Sequence, residues 1–121
     1  MKAVNRLDYG IELRRKLQFD LITVTKYLNL EEKADALYSQ PFKPEMITEL
    51  FEGVVKGEND DWFMNGYCFF YRFNQCEWKY WNNKSCHLWV DNILTLNDFI
   101  SDCQRAGIEL TFKKEIEDKL C

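Results

Sequence analysis

Residues 62–89 read WFMNGYCFFYRFNQCEWKYWNNKSCHLW and contain eleven aromatic residues. Aromatic runs separated by Asn-rich turns are typical of neighbouring β-strands. Successive side chains of a strand lie on opposite faces of a sheet, and here large rings fall at both odd and even positions. One face can pack on a hydrophobic core, so the other needs a different cover, such as a ligand, a second subunit or a partner protein.

The size and composition of the chain indicate a folded α+β protein with its own core. With 121 residues, of which 46% are hydrophobic and 30% charged, the chain can bury a core without disulfides or a structural metal. We predict one α+β domain over residues 1–121. Residues 11–56 form its mostly helical part, and residues 62–113 form a sheet with one helix.

The charge distribution favours some partners over others. The net charge is −4, and residues 57–121 carry seven basic and eleven acidic groups. An acidic surface repels nucleic-acid backbones and attracts basic surfaces. The sequence therefore disfavours nucleic acid as a partner and favours a protein with a basic surface.

The beginning of the chain and its cysteines indicate a cellular compartment. No apolar stretch of the kind found in signal peptides follows Met1, and no run approaches the ~20 apolar residues that a membrane span requires. The five cysteines are odd in number and irregularly spaced. We therefore predict reduced thiols in a cytoplasmic protein that makes no use of a membrane.

Three helices are predicted before the aromatic stretch. Apolar residues at near-helical spacing predict the first over residues 11–28. Asn29, with Glu32 three residues later, has the capping pattern of a second helix that ends near Tyr38. Pro44 fits the first turn of a third, and Gly57 is its predicted stop.

Three strands are predicted within the aromatic stretch and a fourth after it. The first three cover residues 62–73, 76–81 and 86–90, with Gly66 as a bulge in the first. Thr95 and Asp98 are predicted to cap a helix that ends at Gly107, and residues 108–112 alternate as the fourth strand. Residues 115–121 form a short helix or fray.

The order of these elements predicts the fold class: α+β, with N-terminal helices packed on a mostly antiparallel sheet of about four strands. The passage from the third strand through a helix to the fourth could also be a crossover. One pair of strands would then be parallel.

A two-residue turn at residues 74–75 would determine which residues share a face. It pairs Arg72 with Glu77, Phe70 with Lys79 and Cys68 with Trp81, all on the face opposite Phe69. Continuing the long first strand places Trp62 and Met64 on this outer face as well. An Arg–Glu pair suits water, so we expect the outer face to be partly solvated while it presents rings.

The position of the third strand has two solutions that differ by one residue. A four-residue loop at 82–85 would pair Trp81 with Cys86 and place Trp89 on the core face. A three-residue loop at 83–85 would shift the register, so that Leu88 and Val90 face the core and Trp89 joins the outer face. We favour the second register, because Leu88 and Val90 make a natural core pair.

The sequence offers little for catalysis or for metal binding. The single histidine, His87, follows Cys86 directly, and neighbours on a strand lie on opposite faces. No CxxC or HxxxH spacing is present, and no glycine-rich loop could cradle a phosphate. We therefore predict a protein that is not an enzyme and has no cofactor and no metal.

These observations predict a protein-interaction module. The outer face, with an acidic group beside it, would occlude a basic functional site of a partner enzyme, as immunity proteins and anti-defence inhibitors do. The predicted partner-binding residues are Phe70, Arg72, Lys79, Trp81, Trp89, Glu58, Asp60 and Asp61. The alternative is a module that binds or sequesters a nucleotide-like ligand on its rings. Self-association as a homodimer through the same face is a third prediction.

Overall fold

The computed structural model describes residues 1–58, 61–64, 67–72, 77–82, 87–90 and 93–120. At strand positions 67, 70–72, 77–82 and 87–90, it describes the backbone alone. The predicted turn at residues 74–75, the loop at 83–85 and the bulge at Gly66 lie outside the described residues. Within them the fold is α+β, as predicted, with five helices and two antiparallel sheets.

Two helices begin the fold, and their boundaries differ from the prediction. Helix α1 spans Arg6–Lys16 and helix α2 spans Leu21–Tyr38. The predicted helix over residues 11–28 is wrong, because the Asp20 carboxylate accepts a hydrogen bond from the Thr23 N–H (2.7 Å) and begins a new helix. Asn29 lies inside α2 and caps nothing, although the predicted end at Tyr38 is confirmed.

The third helix is shorter than predicted. Helix α3 spans Glu45–Leu50, directly after Pro44, and buries Met46, Ile47 and Leu50. Gly57 does not end it, because the chain has already entered strand β2, Val55–Lys56. None of the helices in the described ranges is long and apolar enough to cross a membrane.

A five-stranded antiparallel meander forms the larger sheet. It consists of β2, then β3 (Asp61–Met64), β4 (Tyr67–Arg72), β5 (Glu77–Asn82) and β6 (His87–Val90), in that spatial order. The predicted number of about four strands is therefore too low, since this sheet alone has five.

The long first strand of the prediction is two antiparallel strands. Met64 pairs with Tyr67, and Trp62 pairs with Phe69. In one continuous strand, all even-numbered residues would lie on the same face. Here each pair joins an even-numbered residue of β3 to an odd-numbered residue of β4, so these two sets share a face. Trp62 and Met64 are consequently buried with Phe69, and their predicted place on the outer face is wrong.

The pairings predicted for the next two strands are confirmed. Arg72 pairs with Glu77, Phe70 with Lys79 and Cys68 with Trp81. The last strand has the register that we favoured, with Tyr80 opposite Leu88 and Trp78 opposite Val90. The register with Trp81 opposite Cys86 is excluded, because Trp81 pairs with His87.

The strand near the end of the chain belongs to a second, smaller sheet. Strand β7 (Leu110–Thr111) pairs antiparallel with β1 (Lys2–Ala3) near the beginning of the chain. The alternative of a parallel crossover from β6 is therefore wrong. The predicted alternation is confirmed, since Ile108, Leu110 and Phe112 are buried. The tail forms helix α5, Lys114–Leu120.

Aromatic rings connect the helices to the large sheet through the core. Ring centroids lie 5.9 Å apart for Tyr9 and Tyr38, and 6.1 Å apart for Tyr38 and Phe112. The series continues from Phe112 to Phe51 (5.4 Å), to Phe99 (6.1 Å) and to Phe69 on β4 (5.6 Å). These spacings are those of favourable aromatic pairs. Phe99 belongs to helix α4, Leu96–Arg105, which therefore packs on the inner face of the sheet.

Helix α4 begins and ends as its sequence predicts. Thr95 Oγ1 accepts a hydrogen bond from the Asp98 N–H (3.3 Å), and Asp98 Oδ2 accepts one from the Thr95 N–H (3.0 Å). After the helix, Gly107 has a φ of 79°, which glycine adopts without steric cost.

We expect Thr95→Ala to lower the free energy of unfolding by about 1 kcal/mol, because one N–H of the first turn loses its acceptor. Urea denaturation followed by circular dichroism measures the change. Thr25→Ala is a matched control, since its exposed hydroxyl donates to the Leu21 carbonyl within α2 and caps no helix end. Equal losses of unfolding free energy in Thr95→Ala and Thr25→Ala would show that the Thr95 cap does not stabilise the fold.

Candidate functional site

The face of the large sheet that lies away from the core exposes apolar side chains near its β2 edge. Val55 and Phe63 are paired residues of β2 and β3, and they are 66% and 45% exposed. Cys68, opposite Phe63 on β4, is half-buried. Trp62 and Met64, the neighbours of Phe63 in sequence, are buried on the other face. We call the side of Val55, Phe63 and Cys68 the outer sheet face.

An acidic side chain lies beside the Phe63 ring. The Gly57 N–H donates a hydrogen bond to the Asp61 carbonyl (2.8 Å), so the two backbones run close together. A Cβ atom at Gly57 would collide with the Asp61 carboxylate and would lie 2.7 Å from Phe63 Cε2. The missing side chain of Gly57 therefore allows the carboxylate and the ring to share one small area of surface.

Backbone pairing places the predicted site residues in rows across the same face. One row contains Val55, Phe63, Cys68, Trp81 and His87. The adjacent row contains Asp61, Phe70, Lys79 and Trp89.

A third row pairs Arg72 with Glu77. The backbone pairing of the sheet therefore places five predicted positions on one face, namely Phe70, Arg72, Lys79, Trp81 and Trp89. Their side chains lie outside the described part of the structure.

The predicted acidic group has two described members. Glu58 is exposed in the turn after β2, and Asp61 is half-buried at the beginning of β3. Asp60 lies outside the described residues. Both described carboxylates are thus close in sequence to the Val55–Phe63 pair, at one edge of the outer sheet face.

Sequence reasoning missed Val55 and Phe63. The third helix predicted from the sequence runs to Gly57 and so includes Val55, and a single strand over residues 62–73 puts Phe63 on the same face as Phe69. The signal that could have found Phe63 is Asn65-Gly66, the dipeptide most typical of a two-residue hairpin turn. A turn there would have exchanged the faces of Trp62 and Phe63.

The described thiols lack the properties of nucleophiles. Partial burial raises the pKa of Cys68, and the nearby negative charge of Asp61 raises it further. Burial also raises the pKa of Cys103, which is almost inaccessible. Both thiols are therefore protonated at neutral pH, whereas a nucleophilic cysteine acts as the thiolate. No cluster of three or more metal-ligating side chains occurs among the described residues.

Comparison with known proteins gives no match to a family model, to a curated protein or to a solved structure.

Proposed function

We propose that this chain is a non-enzymatic interaction module that covers a basic site on a partner protein with its outer sheet face. The observation that carries the proposal is the exposed pair Val55 and Phe63 on the side of the sheet away from the core. Large apolar residues that adjoin on a surface are typical of protein interfaces. The rows of the sheet extend this pair toward Phe70, Trp81 and Trp89 by backbone register.

The chemistry around Phe63 supports a cationic partner. The Asp61 carboxylate lies beside the ring, and exposed Glu58 lies at the same edge. An arginine from a partner could stack on the ring and pair with a carboxylate at the same time, because its guanidinium is planar and charged. The mechanism would be occlusion, as in an immunity protein or an anti-defence inhibitor, with a nucleic-acid or substrate site of an enzyme covered by the face.

We expect the outer sheet face to contact its partner over a broad area of surface. Small ligands prefer enclosed, mostly apolar pockets, whereas Val55 and Phe63 are open to solvent. This exposure favours a macromolecular partner over the nucleotide-like ligand that the rings alone also suggest.

Site-specific photo-crosslinking tests the proposal. A benzophenone side chain is placed at position 63 in one variant and at position 94 in the control, since Leu94 is also highly exposed but lies outside the sheet. In an extract of the source cells, we expect position 63 to capture a basic protein and position 94 not to capture it. Capture at both positions, or at neither, would contradict the proposal.

The captured partner then allows a quantitative measurement. With the purified partner, we expect Phe63→Ala to raise the dissociation constant at least about tenfold, as for an interface hot spot. Leu94→Ala should leave it unchanged, and the wild-type chain should inhibit the partner's activity. Binding without any loss in Phe63→Ala would exclude the outer sheet face as the interface.

A further inference from the structure

A second apolar surface lies on the hairpin of α1 and α2, separate from the sheet. Its members are Leu7, Ile11, Phe19, Leu21, Val24 and Leu28. Leu21 is 85% exposed and Leu7 is 77% exposed, although both are large aliphatic side chains in regular helices. We call this surface the hairpin face.

The helices that carry the hairpin face are fixed against each other at both ends. Near one end, Arg6 donates from Nε to Asp35 Oδ1 (2.7 Å) and from Nη2 to the Glu31 carbonyl (3.0 Å). Near the other end, the Arg14 guanidinium carbon lies 5.7 Å from the centre of the Tyr27 ring. The two helices are therefore antiparallel, and a groove of about 530 Å³ follows their junction.

Helix α2 is apolar on two sides. Its inner side buries Leu30, Ala34 and Tyr38 against the body of the protein. On its outer side, Leu21, Val24 and Leu28 follow the i, i+3, i+7 spacing by which helices pack on other helices. Leu21 and Leu28 are exposed, so the outer side of α2 is an apolar stripe on which another helix can pack.

The charges of the hairpin are divided between its two ends. Residues 12–28, around the connection, carry four basic and two acidic groups, a net charge of +2. Residues 6–11 and 29–38, at the distal end, carry two basic and four acidic groups, a net charge of −2. A two-fold axis at the middle of the hairpin face would lay the basic end of one copy on the acidic end of the other.

We propose that the hairpin face is a homodimer interface, in which two hairpins pack around a two-fold axis as a four-helix arrangement. Such an interface is self-complementary in charge, as two-fold symmetry requires. An anionic lipid surface fits less well, because the distal end and the whole chain are negatively charged. The interface would leave the outer sheet face available and does not depend on its proposed function.

The mass of the 121-residue chain in solution tests the dimer. Sedimentation equilibrium should give about twice the chain mass of 14.6 kDa and show dissociation on dilution. In Leu21→Glu/Leu28→Glu, the dissociation constant should rise at least about a hundredfold, because two apolar side chains leave the interface and two charges enter it. Both positions are exposed in the monomer, so its circular dichroism and melting temperature should be retained.

Two control variants separate this surface from others. Leu94→Glu and Val55→Glu place the same charge on exposed apolar positions outside the hairpin, and both should remain dimeric. Dissociation of Val55→Glu would assign the dimer to the sheet and overturn the proposal. A wild-type monomer would also overturn it, whether or not that monomer sediments with phosphatidylserine vesicles or binds a foreign protein.

Charge reversal tests the two-fold arrangement itself. Arg15 and Glu32 follow the face members Ile11 and Leu28 by one helical turn, so Arg15→Glu and Glu32→Lys should each weaken the dimer by about threefold to tenfold. The double variant Arg15→Glu/Glu32→Lys restores opposite charges at the two ends and should regain most of the affinity. If the losses of dimer affinity in the two single variants added up in the double variant, the two hairpins would not lie basic end on acidic end.

Discussion

Phe99→Ala is expected to lower the free energy of unfolding by about 3–5 kcal/mol, the range observed when a buried phenylalanine is truncated. The Phe99 side chain is fully buried, and its ring is stacked 4.7 Å from that of Phe42. It also contacts Phe51 and Phe69 at centroid distances of 6.1 and 5.6 Å. Because these rings belong to three other segments of the chain, a cavity here would loosen the sheet and the helices together.

Denaturant titration of Phe99→Ala should therefore show either a large shift of the midpoint or no folded baseline. Phe99→Leu keeps most of the volume and should lose less than about 1.5 kcal/mol, which makes the effect measurable even if the alanine variant does not fold. Phe63→Ala, at a half-exposed position, is the matched control and should lose about 1 kcal/mol or less. Equal losses for Phe99→Ala and Phe63→Ala would show that the ring series does not organise the core.

Arg6→Ala is expected to cost about 2 kcal/mol of folding free energy, more than a surface ion pair contributes. The Arg6 guanidinium contacts the carboxylates of Glu31 and Asp35 and lies 5.6 Å from the centre of the Tyr9 ring. Its removal would leave the largely buried Glu31 carboxylate without this counter-charge, and no residue in the described ranges donates a hydrogen bond to Glu31 Oε1. Uncompensated charge at a poorly solvated site is the main part of the expected cost.

A double variant separates this charge effect from simple loss of packing. Glu31→Gln removes the stranded charge, so Arg6→Ala/Glu31→Gln should recover about half of the loss measured by urea denaturation. Arg105→Ala is the control, because the Arg105 side chain in the ion pair with Asp102 is 73% exposed, and the pair should contribute less than about 0.5 kcal/mol. If Arg6→Ala lowered the free energy of unfolding as little as Arg105→Ala, an unpaired Glu31 carboxylate would not be the cause of the expected cost.

The parts of the fold that depend on local chemistry could be predicted from the sequence. The cap at Thr95 and the stop at Gly107 each depend on residues within one turn of a helix, and both are confirmed. The register of β4, β5 and β6 was also predictable, because turn length and a two-residue alternation leave few arrangements. The break between α1 and α2 has a local signal too, in Asp20, which the apolar periodicity on both sides of it obscured.

Long-range pairing could not be predicted in this way. Strand β1 has only two residues, and its partner β7 lies more than a hundred residues away, so neither segment identifies the other. For the site, the acidic run at residues 58–61 is visible in the sequence, and the Asp61 carboxylate lies beside the Phe63 ring. Val55 and Phe63 were missed, because their faces depend on where β3 begins and turns.

The pairing of β1 with β7 also has a consequence for synthesis on the ribosome. The Phe112 N–H donates a hydrogen bond to the Met1 carbonyl (2.9 Å), and Ala3 pairs with Leu110. The small sheet therefore cannot close until the segment around residue 112 has left the exit tunnel. Contacts between residues so distant in sequence also slow folding. We therefore expect the chain to emerge largely unfolded and to complete its core only after translation of this region, with the inner side of α2 exposed to chaperones until then.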